Sequence, residues 1–195
     1  MRQTFEQIFA TRDWLLADGA TGTNFFHAGL ETGYPSELWN VEYPDRVTTL
    51  HASFVAAGAD IILTNSFGGT SFRLKLHQAE NSVNALNLAA AGLARQAADA
   101  ADKQVLVAGS MGPTGELFQP LGALTADAAE QAFAQQAFAL AEGGADLLWI
   151  ETMSSLEEVE AAVKGARRTN LPVVATCLLY TSDAADEGLG VDLGG

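Results

Sequence analysis

The chain of 195 residues is poor in cysteine and in basic residues, and each shortage excludes a class of protein. A single cysteine, Cys177, cannot form an internal disulfide, which favours a reducing compartment and predicts a cytoplasmic location. Ten Lys and Arg against 24 Asp and Glu give a net charge of −14, which would repel nucleic-acid phosphates and anionic membranes. No apolar run approaches the roughly 18 residues that a membrane helix needs. We therefore expect small-molecule ligands, without a nucleic-acid or membrane partner; the composition gives no indication of oligomeric state.

Several catalytic signatures are also missing. The chain has no Gly-x-Gly-x-x-Gly after its first apolar run, no Walker phosphate loop and no Gly-x-Ser-x-Gly nucleophile elbow. Its three histidines are scattered, and no two of them have the spacing of metal ligands. These absences argue against the commonest nucleotide-binding and hydrolase folds.

What the sequence does contain is a regular alternation of short apolar runs and alanine-rich helical segments. The runs are too continuous for strands with one wet face and too short for buried helices, so they predict parallel strands covered on both faces. These strands are predicted at 14–17, 60–64, 104–108, 146–150 and 171–175. Helices are predicted over 45–57, 81–101 and 125–142, the last capped by Thr125, and from Ser154 or Ser155 onward. The alternation predicts an α/β fold: a (β/α)8 TIM barrel, truncated after about the fifth strand.

Polar residues follow these strands, at the end where the chemistry of such barrels is found. Asp18 and Gly19 follow the first strand, Asn65 and Ser66 the second, and Glu151 the fourth. A carboxylate buried there without a partner costs several kcal/mol, so each acid needs a loop amide, a salt bridge or a ligand. Two carboxylates facing one pocket would suit an ammonium group, and amides of the glycine turns would suit a carboxylate. That combination describes an amino acid, and equally a sugar or a phosphate ester.

Four segments together resemble the homocysteine S-methyltransferase family in their order and spacing. These segments are Leu16–Thr23, Ile62–Phe67, Ala108–Gly115 and Leu148–Met153. The resemblance implies a barrel that transfers a methyl group to the thiol of homocysteine, giving methionine, with a zinc ion held by three cysteines. It also implies that Asp18 and Gly19 hold the amino-acid end of homocysteine and that Glu151 binds its ammonium group. Asn65 and Ser66 would lie beside the zinc and the methyl donor.

Within this resemblance, the sequence favours a stand-alone enzyme that uses betaine or a similar methyl donor. One alternative is the homocysteine-binding module of a cobalamin-dependent methionine synthase. The other is an unrelated barrel that uses Asp18 and Glu151 as acid–base residues. The donor itself is not identified by the residues present.

The family's zinc cysteines follow later strands, and Cys177 matches none of them. Residues 177–195 resemble instead the translation of a transposon-based sequencing adapter. We therefore expect residues 1–176 to form the amino-terminal part of the homocysteine-binding barrel, followed by a non-native tail over 177–195. The chain itself is then expected to be an inactive fragment of an enzyme whose zinc ligands lie outside it.

Overall fold

The computed structural model of the chain describes residues 2–153 and 155–177. The helices are α1 (Phe5–Phe9), α2 (Thr21–His27), α3 (Trp39–Glu42), α4 (Pro44–Ala56), α5 (Ser71–Lys75), α6 (Val83–Asp99), α7 (Ala126–Glu142) and α8 (Leu156–Ala166). The strands are β1 (Ile61–Leu63), β2 (Leu106–Met111), β3 (Leu147–Met153) and β4 (Val173–Cys177). Short 3-10 helices occupy Ser36–Leu38, Glu80–Ser82 and Arg167–Thr169. Apart from Cys177, the predicted tail lies outside the described residues.

The four strands form one parallel sheet in the order β1-β2-β3-β4. Ile61 pairs with Leu106 at the first junction, and Ala108 pairs with Leu147 at the second. Neighbouring strands that follow each other in sequence are the arrangement of consecutive βα units in a barrel, whereas a doubly wound sheet reverses its order at a switch point. The α/β class with a parallel sheet is thereby confirmed.

The first predicted strand, 14–17, is not a strand in the structure, so the described part of the chain has four strands where we predicted five. Ala17 forms only an isolated parallel bridge with Ile61. The Leu16 carbonyl accepts a hydrogen bond from the Ile61 N–H at 3.1 Å, and the Asp18 N–H donates to the Ile61 carbonyl at 2.9 Å. Pairing stops there because the chain turns directly into α2. The segment still lies along β1, so it brings Asp18 to the carboxyl end of the sheet.

Strand side chains alternate between two apolar layers. Ile62 and Val107 belong to the layer that the sheet shares with α6, α7 and α8. Ile61 and Leu106 belong to the opposite layer, which Ile8 of α1 covers. Burial on both faces explains why the strands read as continuous apolar runs, as predicted for a parallel sheet.

Side-chain caps fix where the last two long helices begin. The Thr125 hydroxyl accepts a hydrogen bond from the Ala128 N–H at 3.2 Å, which confirms it as the cap of α7. Ser155 caps α8 in the same way through the Glu158 N–H, also at 3.2 Å. Because α8 starts so soon after β3, the residues at the end of that strand are held close to the sheet. Within the described ranges, every helix is too short or too polar to cross a membrane.

Candidate functional site

A cavity of about 790 Å³ opens at the carboxyl ends of β1, β2 and β3. The structure brings all five residues that the sequence singled out into its lining, which are Asp18, Gly19, Asn65, Ser66 and Glu151. They converge because parallel strands end at the same edge of a sheet.

Asp18 is a partly buried carboxylate anchored at both its backbone and its side chain. Its Oδ2 accepts a hydrogen bond from the Leu63 N–H at 2.9 Å, which couples it to the end of β1. Burial, together with the smaller effect of the negative charge of Glu151, raises its pKa to about 7 although the Leu63 hydrogen bond lowers it. Asp18 is therefore a group that exchanges a proton near neutral pH. Beside it, Gly19 packs against the ring of Phe54, and a Cβ at residue 19 would lie 3.3 Å from that ring.

Glu151 sits at an irregularity in β3. The pairing register with β4 shifts between Glu151 and Met153, and Thr152 between them has φ +63°. A positive φ is rare for a β-branched residue, so the backbone is strained where it presents the carboxylate. The Ser110 hydroxyl donates to Glu151 Oε1 at 2.6 Å. This bulge turns Glu151 toward the cavity, and the surrounding packing compensates for the backbone strain at Thr152.

Neither carboxylate has a cationic partner among the described residues. Across residues 2–153 and 155–177, no Lys, Arg or His forms an ion pair with Asp18 or Glu151. The structure thus answers the choice left open by the sequence: Asp18 has a backbone amide, Glu151 has a hydroxyl, and neither has a salt bridge. Two carboxylates that share one cavity, neither of them ion-paired with a described residue, form a site suited to a cationic ligand.

Ser66 belongs to a chain of hydroxyl hydrogen bonds beneath the cavity. Its hydroxyl donates to the Ser110 carbonyl at 2.7 Å and accepts from the Thr64 hydroxyl at 2.6 Å. Thr64 in turn accepts from the Ser110 N–H at 3.0 Å. Because its one proton is used internally, Ser66 offers a ligand only the remaining lone pair of its oxygen.

Asn65 ties the end of β1 to the loop before α3. Its side-chain amide donates to the Ser36 carbonyl at 2.7 Å and to Asn40 Oδ1 at 3.0 Å. The Asn40 amide donates back to the Asn65 carbonyl at 2.8 Å. With both amide protons committed, Asn65 fixes one wall of the cavity and retains only its side-chain oxygen for a ligand.

Sequence reasoning missed several lining residues. Glu37 is buried and accepts a hydrogen bond from the Gly68 N–H at 2.6 Å, and no periodic pattern marks it. Ser110 lies within a segment that carried the family resemblance, so its place near the carboxyl end of β2 was a usable signal. Phe67 and Trp149 add aromatic surface to the lining.

The described part of the chain contains no group of three or more His, Cys, Asp or Glu side chains placed to hold a metal ion. The zinc implied by the family resemblance therefore finds no ligand set in these residues. Asp18 and Glu151 alone are too few for a structural or catalytic zinc site, which takes at least three protein ligands.

The family pattern described as homocysteine S-methyltransferase matches residues 15–192. The chain belongs to the homocysteine S-methyltransferase family. This homocysteine S-methyltransferase domain is similar to the methionine synthases of Mycobacterium tuberculosis and Mycobacterium leprae, with 31% identity to each over 208 aligned positions. The alignments cover 92% of this chain but 17% of each methionine synthase, so the chain spans about a sixth of the length of these relatives.

Solved structures of the homocysteine methyltransferase MmuM from Escherichia coli resemble this domain over most of its length. The oxidized form superposes with a TM-score of 0.74 at 25% identity, covering 93% of this chain and 66% of MmuM. The metallated form gives a TM-score of 0.73 at 26% identity, covering 86% of this chain and 63% of MmuM. The enzyme family predicted from the four segments is thereby confirmed, and an unrelated acid–base barrel is left without support.

Proposed function

We propose that the full-length protein transfers a methyl group to the thiol of homocysteine to give methionine, and that the cavity binds the amino-acid end of homocysteine. The observation that carries this proposal is the pair of carboxylates, Asp18 and Glu151, that line one cavity and form no ion pair with any described residue. An ammonium group between them would supply the missing positive charge. The backbone of the Asp18–Gly19 turn then binds the ligand's carboxylate.

Glu151 and Asp18 bind the ammonium group in different ways because their environments differ. Glu151, oriented by the Ser110 hydroxyl, accepts from the ammonium group. Asp18 accepts from the same group once it has lost its own proton, since its pKa of about 7 leaves it part-protonated in the empty cavity. The strained bulge at Thr152 and the hydroxyl chain under Ser66 keep these groups in place before the ligand arrives.

Methyl transfer also requires a thiolate, because a thiol with a pKa of about 8.5 is largely protonated at neutral pH. A zinc ion, when bound, ionises the thiol and positions its sulfur. We expect its cysteine ligands outside the described residues, and a metallated form of the relative MmuM is consistent with that expectation. The described residues bind and orient the amino acid and contribute nothing to the ion itself.

Betaine or a similar onium compound is the donor that we propose. Phe67 and Trp149 present aromatic surface in the same cavity, and aromatic faces attract quaternary ammonium groups. Asn65 and Ser66 line the same cavity and are proposed to lie beside the donor.

A second candidate function is the homocysteine-binding domain of a cobalamin-dependent methionine synthase. The 31% identity to two methionine synthases favours it, and the proposed homocysteine site would be the same. The two candidates differ in the donor, an onium compound in one case and a methylated cobalamin in the other. For either, we propose a cytoplasmic location, supported by the single cysteine in 195 residues.

The test is methyl transfer by the full-length protein. L-homocysteine is incubated with each of three donors carrying a 13C-labelled methyl group: glycine betaine, S-methylmethionine and methylcobalamin. Labelled methionine, measured by NMR, is expected with an onium donor. Label transferred only from methylcobalamin would support the second candidate, and no labelled methionine from any donor would contradict both.

A further inference from the structure

Arg73 is the one cation of fixed charge in the described lining of the cavity. It lies on α5, just after β1, and is partly exposed. None of the residues in 2–153 and 155–177 accepts a hydrogen bond or forms an ion pair with its guanidinium. A guanidinium held at a cavity without an acceptor is available to bind an anionic group.

The position of Arg73 is fixed by the loop after β2. Gly115 has φ +80°, and a Cβ at that residue would lie 3.1 Å from Arg73 Nη1 and 3.4 Å from its Cδ. The arginine side chain thus packs along backbone that only glycine leaves free. A larger residue at 115 would both strain the turn and displace the guanidinium.

An aromatic ring from the loop after β1 packs on the same loop after β2. A Cβ at Gly112 would lie 2.6 Å from the ring of Phe67, so this ring packs on Gly112 as Arg73 packs on Gly115. Only Pro113 and Thr114 separate the two glycines, which places their Cα atoms at most about 10 Å apart. An aromatic face and a guanidinium therefore line one loop within the reach of a small molecule that carries a cation and an anion.

We propose that Arg73 binds the carboxylate of the methyl donor, and that the donor is an onium compound bearing its own carboxylate. The inference rests on the proposed function, in which the Asp18–Gly19 turn already binds the carboxylate of homocysteine. The donor's carboxylate is then the anion left for Arg73. Its onium group lies against Phe67, so the donor is selected at both ends.

The test compares Arg73→Met with Lys75→Met in the full-length protein. Lys75 is an exposed cation on the same short helix and does not line the cavity, so its loss is a matched control for charge. Glycine betaine and its methyl ester are the probes, with affinities measured by calorimetry and KM and kcat by methionine formation. Arg73→Met is expected to raise the Kd and KM of glycine betaine by about 10- to 100-fold, the range for one charge-assisted pair. The ester, homocysteine and Lys75→Met should show wild-type values, and Arg73→Lys should recover part of the loss.

Three results would overturn the assignment. The first is equal discrimination between glycine betaine and its ester in wild type and Arg73→Met. The second is a loss of homocysteine affinity in Arg73→Met, which would mean that Arg73 binds the carboxylate of homocysteine and not that of the donor. The third is a wild-type protein that binds no carboxylated onium compound. Failure of the proposed function would appear separately, as wild-type protein that does not bind homocysteine.

Discussion

Asp18 is expected to release a proton when an ammonium group enters the cavity. Burial, together with the negative charge of Glu151, raises its pKa from 3.8 to about 7, so about half of the empty molecules carry the proton at neutral pH. A raised pKa means that the cavity favours the neutral acid, at a cost of about 4 kcal/mol for ionising it at a pH where the unfolded residue is charged. A cation placed between the carboxylates reverses that preference and expels the proton. Ligand affinity should therefore rise with pH up to about 7 and level off above it.

Calorimetry in buffers of different ionisation enthalpy counts the released protons. L-methionine is the best probe because it carries the ammonium and carboxylate groups without a thiol, so its own groups keep their protonation between pH 6 and 8. The full-length protein should release about 0.9 proton at pH 6, about 0.5 at pH 7 and about 0.1 at pH 8. Asp18→Asn should abolish the release. Equal release from Asp18→Asn, or none from wild type at pH 6, would refute the reasoning.

Three further predictions concern stability. His51 is buried with neither ring nitrogen hydrogen-bonded among the described residues, and burial lowers its pKa to about 4. Because the unfolded chain takes up that proton near pH 6.5, the free energy of unfolding should fall by about 3 kcal/mol between pH 6.5 and pH 4. In urea titrations at several pH values, the free energy of unfolding of His51→Leu should not show that fall. A His51→Leu variant whose unfolding free energy falls with pH as much as that of the wild type would contradict this prediction. Thr152→Gly should raise the free energy of unfolding by about 1 kcal/mol through relief of its positive φ, so a lower urea midpoint would count against strain. Gly69→Ala should cost about 2 kcal/mol or more, because a Cβ would collide with Asn87 Oδ1 and lie 2.7 Å from Gln136 Nε2; an unshifted melting temperature would contradict it.

Local signals in the sequence predicted the elements that depend on local chemistry. Thr125 caps its helix as predicted, and Ser155 is the cap where the sequence allowed Ser154 or Ser155, since a cap needs only a hydroxyl and an amide three residues away. Asp18 and Glu151 reach one cavity because strand ends meet at one edge of a parallel sheet. The first predicted strand, 14–17, failed because strand pairing depends on the neighbour as well as on the run itself.

Contacts between distant residues could not be predicted in the same way. Ser110 orients Glu151 across 41 positions of sequence, and Glu37 holds the Gly68 amide across 31. Each of these hydrogen bonds forms only when separate βα units pack together, so the periodicity of the sequence cannot predict it. Arg73 could not be predicted as a site residue either, because its role depends on its position in the cavity and on its packing against Gly115, and no sequence motif surrounds it.

The central claim is that Glu151 binds the ammonium group of homocysteine. Calorimetric titration of L-homocysteine into the full-length protein, wild type against Glu151→Ala, tests it most directly. Glu157→Ala, which removes an exposed carboxylate from the first turn of α8, serves as the matched control. Loss of this partly buried charge partner should weaken binding by about 2–4 kcal/mol in Glu151→Ala and leave Glu157→Ala at the wild-type value. Homocysteine affinity unchanged by Glu151→Ala would contradict the account.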